Sequence, residues 1–86
     1  MIETIKKLID ANARLTVPTR DLAPGADLYQ FGLTPYSAVR LLLSIENAFD
    51  VEFPRRLLNK NSMGSIEAIV GCLSQLLPEE AMRDAA

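Results

Sequence analysis

Three stretches of this 86-residue chain place apolar residues at helical spacing, and proline and glycine crowd the segments between them. That alternation constrains the fold most. A stripe recurring every three or four residues buries one side of a helix, whereas a half-buried strand needs a period of two, which no segment shows convincingly. In "IETIKKLIDANARL" the residues Ile2, Ile5, Leu8, Ile9 and Leu15 lie mostly on one side. Glu3 near the start and Lys6, Lys7 and Arg14 further on suit the helix dipole, and the spacing predicts a first helix over residues 2–15. A second helix runs to about Phe49, with Ala38, Leu41, Leu42, Ile45 and Phe49 as its core stripe. Thr34 is its N-cap, because its hydroxyl can accept a backbone N–H. Pro35 is its first helical residue, where a missing N–H costs nothing. Ile66, Ile69, Val70, Leu73, Leu76 and Leu77 form the stripe of a last helix. It is capped by Ser62 or Ser65, with Ser62 favoured, and stopped by Pro78. A short helix "PRRLLN" starts at Pro54 and stops near Asn59. The expected fold is all-α: a four-helix bundle of three long helices and a short third one.

Residues 16–34 form a long first loop containing Pro18, Pro24, Gly25 and Gly32. A connection of this length in so small a chain is usually functional or packed by its own side chains. Leu22, Leu28, Tyr29, Phe31 and Leu33 supply apolar surface to pin it, and a helical turn near "ADLYQFG" is expected to stop at Gly32. The chain reads as one domain over residues 1–78, followed by a polar tail, 79–86, expected to fray.

The formal net charge of −2 makes nucleic acid an unlikely ligand, since an acidic chain gains little from counterion release. Arg55, Arg56 and Lys60 form a local basic cluster, but no aromatic platform accompanies it and a solvated face is the favoured reading. Cys72 has no second cysteine to pair with, no apolar run could span a bilayer, and "MIETIKKLID" lacks a secretory apolar region. A cytoplasmic monomer is expected. The chain has no histidine, no Cys/His cluster, no calcium loop and no glycine-rich phosphate loop, so neither catalysis nor a metal site is expected. Cys72 reads as packing. Val39 and Leu43 are apolar but lie beside the main stripe of the second helix. Periodicity alone leaves open whether they form a docking patch or simply widen the core.

The segment "DLYQFGLTPYSAVRLLLSIENAFDVEFP" resembles the centre of the acyl carrier protein family. Asp27, Gly32, Val39, Leu42, Ile45, Glu46, Phe49, Asp50 and Pro54 fall at positions matching the family pattern. The likeness runs from the first helix to Leu77. Residues 32–35, 52–54, 56–59 and 65–70 are most similar to a bacterial subgroup of aminoacyl carrier proteins. The resemblance implies a four-helix fold with a long first loop and a short third helix. It also implies a serine, at the start of the second helix, esterified to 4′-phosphopantetheine, whose thiol carries the acyl or aminoacyl group as a thioester. A helix N-terminus favours such a phosphate, and tethering raises the effective concentration of cargo at each partner.

Two counts fix the register. The family serine lies three residues after the glycine and four before the valine; from Gly32 and from Val39 both counts reach Pro35. Proline has no hydroxyl, so the usual attachment is impossible here. Ser37 is the fallback oxygen, although its alternative reading is a hydroxyl supporting the first helical turn. The resemblance further implies a docking surface on the second helix, assigned to Tyr36, Val39, Arg40, Leu43 and Glu46. Its partners would be an amino acid:carrier protein ligase or another acyl-loading enzyme, and a phosphopantetheinyl transferase if the chain is loaded. The expected function is that of an acyl or aminoacyl carrier protein, or a degenerate paralogue. The alternative is an interaction module that uses the carrier fold and carries nothing.

Overall fold

The computed structural model describes residues 1–77, in which three α-helices form: α1 (Ile2–Asn12), α2 (Pro35–Phe49) and α3 (Ile66–Leu76). Short 3₁₀ turns at Thr19–Asp21, Leu28–Phe31, Arg55–Leu57 and Lys60–Met63 lie in the connections. The described residues contain no strand. The expected stop at Pro78 and the tail 79–86 lie outside them.

The three stripes converge on one core. Ile5 and Ile9 of α1, Leu41 and Ile45 of α2, and Ile66, Ile69 and Leu73 of α3 are all fully or almost fully buried. Cys72 joins them as a buried free thiol, in line with its packing role. The first loop is pinned to this core by Leu22, Leu28 and Leu33, with Tyr29 and Phe31 half-buried against it. Its polar groups are also held. The Thr19 hydroxyl donates to Asp10 Oδ2 at 2.8 Å, the Leu28 N–H to the Gly64 carbonyl at 2.8 Å, and the Glu67 N–H to the Pro24 carbonyl at 2.9 Å. The turn at Leu28–Phe31 ends on Gly32, whose φ of 110° is left-handed and disfavours any residue with a Cβ. A side chain there would also meet the Arg14 carbonyl at 3.3 Å.

Three boundaries differ from the sequence expectation. The first helix ends at Asn12, not residue 15. The Asn12 side-chain amide donates to the Leu8 carbonyl at 2.8 Å, Ala13 is extended, and the Thr16 N–H turns away to the Phe31 carbonyl at 2.8 Å. The loop thus competes successfully for the last turn, and Arg14 lies outside the helix. The short third helix is replaced by two 3₁₀ turns. Pro54 precedes the first turn as its N-cap, and the bonds Leu57 N–H to Pro54 O and Leu58 N–H to Arg55 O span three residues rather than four. Asn59 then accepts the N–H groups of Asn61 and Ser62 on its side-chain oxygen, starting the second turn. Finally, Ser65 rather than Ser62 caps α3, accepting the Ala68 N–H at 3.0 Å. Ser62 is buried and its hydroxyl donates to the Leu57 carbonyl, closing the two turns on each other.

Candidate functional site

Residues 34–37 open α2 as a closed ring of hydrogen bonds. Thr34 is the N-cap and Pro35 the first helical residue, as the sequence predicts. The Ser37 N–H donates to Thr34 Oγ1 at 3.1 Å, and the Thr34 N–H donates back to Ser37 Oγ at 2.9 Å. The two hydroxyl oxygens lie 2.9 Å apart, and the Ser37 hydroxyl donates to the Thr34 carbonyl at 3.1 Å. This is a capping box with serine in place of the usual Glu or Gln. Ser37 is only 9% exposed, and its oxygen is engaged in the hydrogen bonds that support the first turn.

Outward from this turn, α2 presents a strip that the core leaves uncovered. Tyr36 is 72% exposed, Val39 56% and Leu43 58%. Residues three and four apart on a helix are neighbours, so the three form one continuous surface. The open alternative from periodicity is therefore resolved: Val39 and Leu43 do not widen the core. Arg40 lies against the same strip, its guanidinium carbon 5.9 Å from the centre of the Tyr36 ring, within reach of a cation–π contact. Glu46, grouped with these residues from the sequence, has a different duty. It is half-buried, and its Oε2 accepts the Phe53 N–H at 2.7 Å, tying the end of α2 to the segment that follows.

Beside the strip lies an open groove of about 680 Å³, bounded by Tyr29, Pro35, Val39, Leu42, Leu58 and Met63 among others. Its floor is mainly apolar. The Tyr29 hydroxyl donates to the Lys60 carbonyl at 3.1 Å, and Lys60 Nζ lies 5.1 Å from the centre of the Tyr29 ring. The same phenol is pushed above its ordinary pKa, first by burial and then by the Asp27 carboxylate. Sequence reasoning missed this groove. Its walls come from the first loop, α2 and the two 3₁₀ turns, and no single segment carries its pattern. The only local signal is Leu58, an apolar residue left exposed next to Leu57.

The residues at the head of α2 do not fit the phosphopantetheine group that the resemblance implies. The linkage to phosphorus needs a hydroxyl oxygen at residue 35, and the pyrrolidine ring of Pro35 has none. Of the first three helical residues, Pro35 has no N–H and that of Ser37 is committed to Thr34, which leaves only that of Tyr36 to favour an anion.

The helical layout matches known carrier proteins even though residue 35 lacks the attachment oxygen. Residues 3–73 match the family described as phosphopantetheine attachment site. The chain is 42% identical to the aminoacyl carrier protein of Agrobacterium fabrum (strain C58) over 77 residues, 90% of this chain and 93% of the relative. Among solved structures, one similar chain occurs in the crystal structure of an engineered Bradyrhizobium japonicum glycine:[carrier protein] ligase complexed with a carrier protein from Agrobacterium tumefaciens and AMP. That match has 42% identity and a TM-score of 0.83, covering 86% of this chain and 99% of the other. Another occurs in the Bradyrhizobium japonicum ligase complexed with glycylated carrier protein, with 28% identity and a TM-score of 0.62 over 83% and 90% of the two chains. The helical order, the capped start of α2 and these matches together show that the chain belongs to the phosphopantetheine-attachment-site family of carrier proteins.

Proposed function

We propose that this chain is an aminoacyl-carrier-type protein that docks, through the exposed strip of α2, to an amino acid:carrier protein ligase. The observation that carries the reading is the strip itself: Tyr36, Val39 and Leu43 stay largely in water although the core has ample apolar surface without them. Exposed aromatic and aliphatic residues grouped beside an arginine have the composition of an interface centre. The similarity to carrier proteins complexed with glycine:[carrier protein] ligase supports that occupant over other protein partners. With Arg40 on the strip and Glu46 held by Phe53, apolar contact outweighs acidic charge in the docking. A reducing cytoplasmic setting is part of the proposal, supported by the single buried thiol of Cys72. No described helix is long and apolar enough to cross a membrane.

Calorimetric titration with the Bradyrhizobium japonicum glycine:[carrier protein] ligase tests the reading. Saturable binding is expected. Leu43→Glu should weaken it at least tenfold, about 1.4 kcal/mol, with the far-ultraviolet circular dichroism unchanged. Wild-type affinity in Leu43→Glu, or no binding by the parent chain, would contradict it.

A further inference from the structure

We infer that this chain is a non-acceptor carrier: lacking the arm, it occupies a ligase's carrier site without accepting an aminoacyl group, and so competes with carriers that bear the arm. The inference rests on the docking proposed above and adds what the head of α2 does to the outcome. Three other hydroxyls surround Pro35, and each is out of play. Thr34 Oγ1 accepts the Ser37 N–H at 3.1 Å and shares a 2.9 Å contact with Ser37 Oγ. Ser37 Oγ accepts the Thr34 N–H, donates to the Thr34 carbonyl and is almost fully covered. Freeing either oxygen for transfer would break the capping box that opens α2. The Tyr36 phenol is exposed, but its oxygen stands at the far end of a ring that lies alongside Arg40. An oxygen so far from the backbone cannot take the place of a serine hydroxyl at the reaction point, where small displacements are costly.

The contrast between these two neighbouring features gives the inference its content. The start of α2 is well built: proline preset for the first position, threonine and serine capping each other. It is closed to attachment, not disordered. One residue further on, the docking strip begins with Tyr36 and runs outward unobstructed. A chain that keeps the contact surface and lacks the acceptor takes up enzyme without turning over. At the ligase, its effect is that of a competitive inhibitor with respect to the arm-bearing carrier that accepts the aminoacyl group.

Two measurements test this. First, the chain is incubated with a phosphopantetheinyl transferase and coenzyme A, and its intact mass is read. No gain is expected for the parent and a gain of one phosphopantetheine for Pro35→Ser. A gain in the parent would overturn the inference, and no gain in Pro35→Ser would overturn the assignment of Pro35 as the closing residue. Second, ligase rates are measured with phosphopantetheinylated, uncharged Agrobacterium tumefaciens carrier protein as acceptor and increasing amounts of this chain. The apparent KM for the acceptor should rise in proportion to the added chain, doubling when its concentration equals its calorimetric Kd, with kcat unchanged. Pro35→Ser carrying the arm should instead become an aminoacylated product. If the parent binds by calorimetry but leaves the apparent KM unchanged, or lowers kcat alone, the competition is refuted while the docking stands. If it does not bind at all, the docking proposal itself fails.

Discussion

Leu41 and Leu43 stand two residues apart on the same helix, and the molecule uses them in opposite ways. Leu41 is fully buried in the core with Ile45, whereas Leu43 is more than half exposed beside Val39 and Tyr36. The inward face of α2 has the volume and pattern needed to close a core. The outward face has the same chemistry with nothing to cover it. Stability therefore explains one face only, and the proposed ligase partner would cover the other.

The sharpest way to break that distinction is to truncate each face. Leu41→Ala should cost about 2–5 kcal/mol, the range for removing a fully buried leucine. In a chain of this length each kcal/mol lowers Tm by about 4–8 °C, so a calorimetric scan will read the loss directly. Tyr36→Ala should change stability by no more than about 0.5 kcal/mol, as expected for a surface position. Its effect belongs in binding: tyrosine is enriched among the interface residues whose truncation costs more than about 1 kcal/mol, and a loss of that size is expected here. A large drop in Tm for Tyr36→Ala, or none for Leu41→Ala, would erase the contrast between the faces.

Smaller effects separate the cap from the strip. Thr34→Ala removes the oxygen that accepts the Ser37 N–H and should cost about 1 kcal/mol in urea unfolding, with the unfolding slope unchanged. Because the strip begins only two residues later, ligase affinity should fall by less than it does in Leu43→Glu. The smallest effect concerns the groove. The Tyr29 phenol has a raised folded-state pKa, so the folded chain holds its proton more tightly than the unfolded chain does. That contribution is complete below the unfolded value near pH 10 and is lost as pH rises through the folded value. Denaturant midpoints measured on Tyr29→Phe should show a shallower alkaline decline than the parent.

Much of this arrangement was legible in the sequence where one segment contains the whole cause. The start of α2 is such a case. Thr34 as cap, Pro35 as first residue and the turn stopped by Gly32 follow from local chemistry and appear in the structure. The apolar stripes were largely legible from their period, although Ile2 at the head of α1 stays exposed. What escaped depends on contacts between distant segments. α1 loses its last turn because Thr16 bonds to Phe31, a partner fifteen residues on. The stretch after Pro54 winds into 3₁₀ turns because Asn59 and Ser62 close it through side-chain bonds that propensity does not register. The sequence favours Ser62 over Ser65 as the cap of α3, and the structure reverses that choice because Ser62 is buried and bonded to the Leu57 carbonyl. The groove was invisible for the same reason, and the duty of Glu46 emerged only once Phe53 was seen to fold back on it. Position 35 is the reverse case: a single absent oxygen, plain in the sequence, that no rearrangement of the fold supplies.

The central claim is that one face of α2 folds the chain while the other meets the ligase. An amide chemical-shift titration of isotope-labelled chain with unlabelled Bradyrhizobium japonicum glycine:[carrier protein] ligase tests it most directly. The largest shifts or broadening should map to Tyr36, Val39, Arg40 and Leu43, while α1 amides such as Glu3 and Lys7 stay in place. Perturbations centred on α1 or α3, with the outer face of α2 silent, would contradict the account.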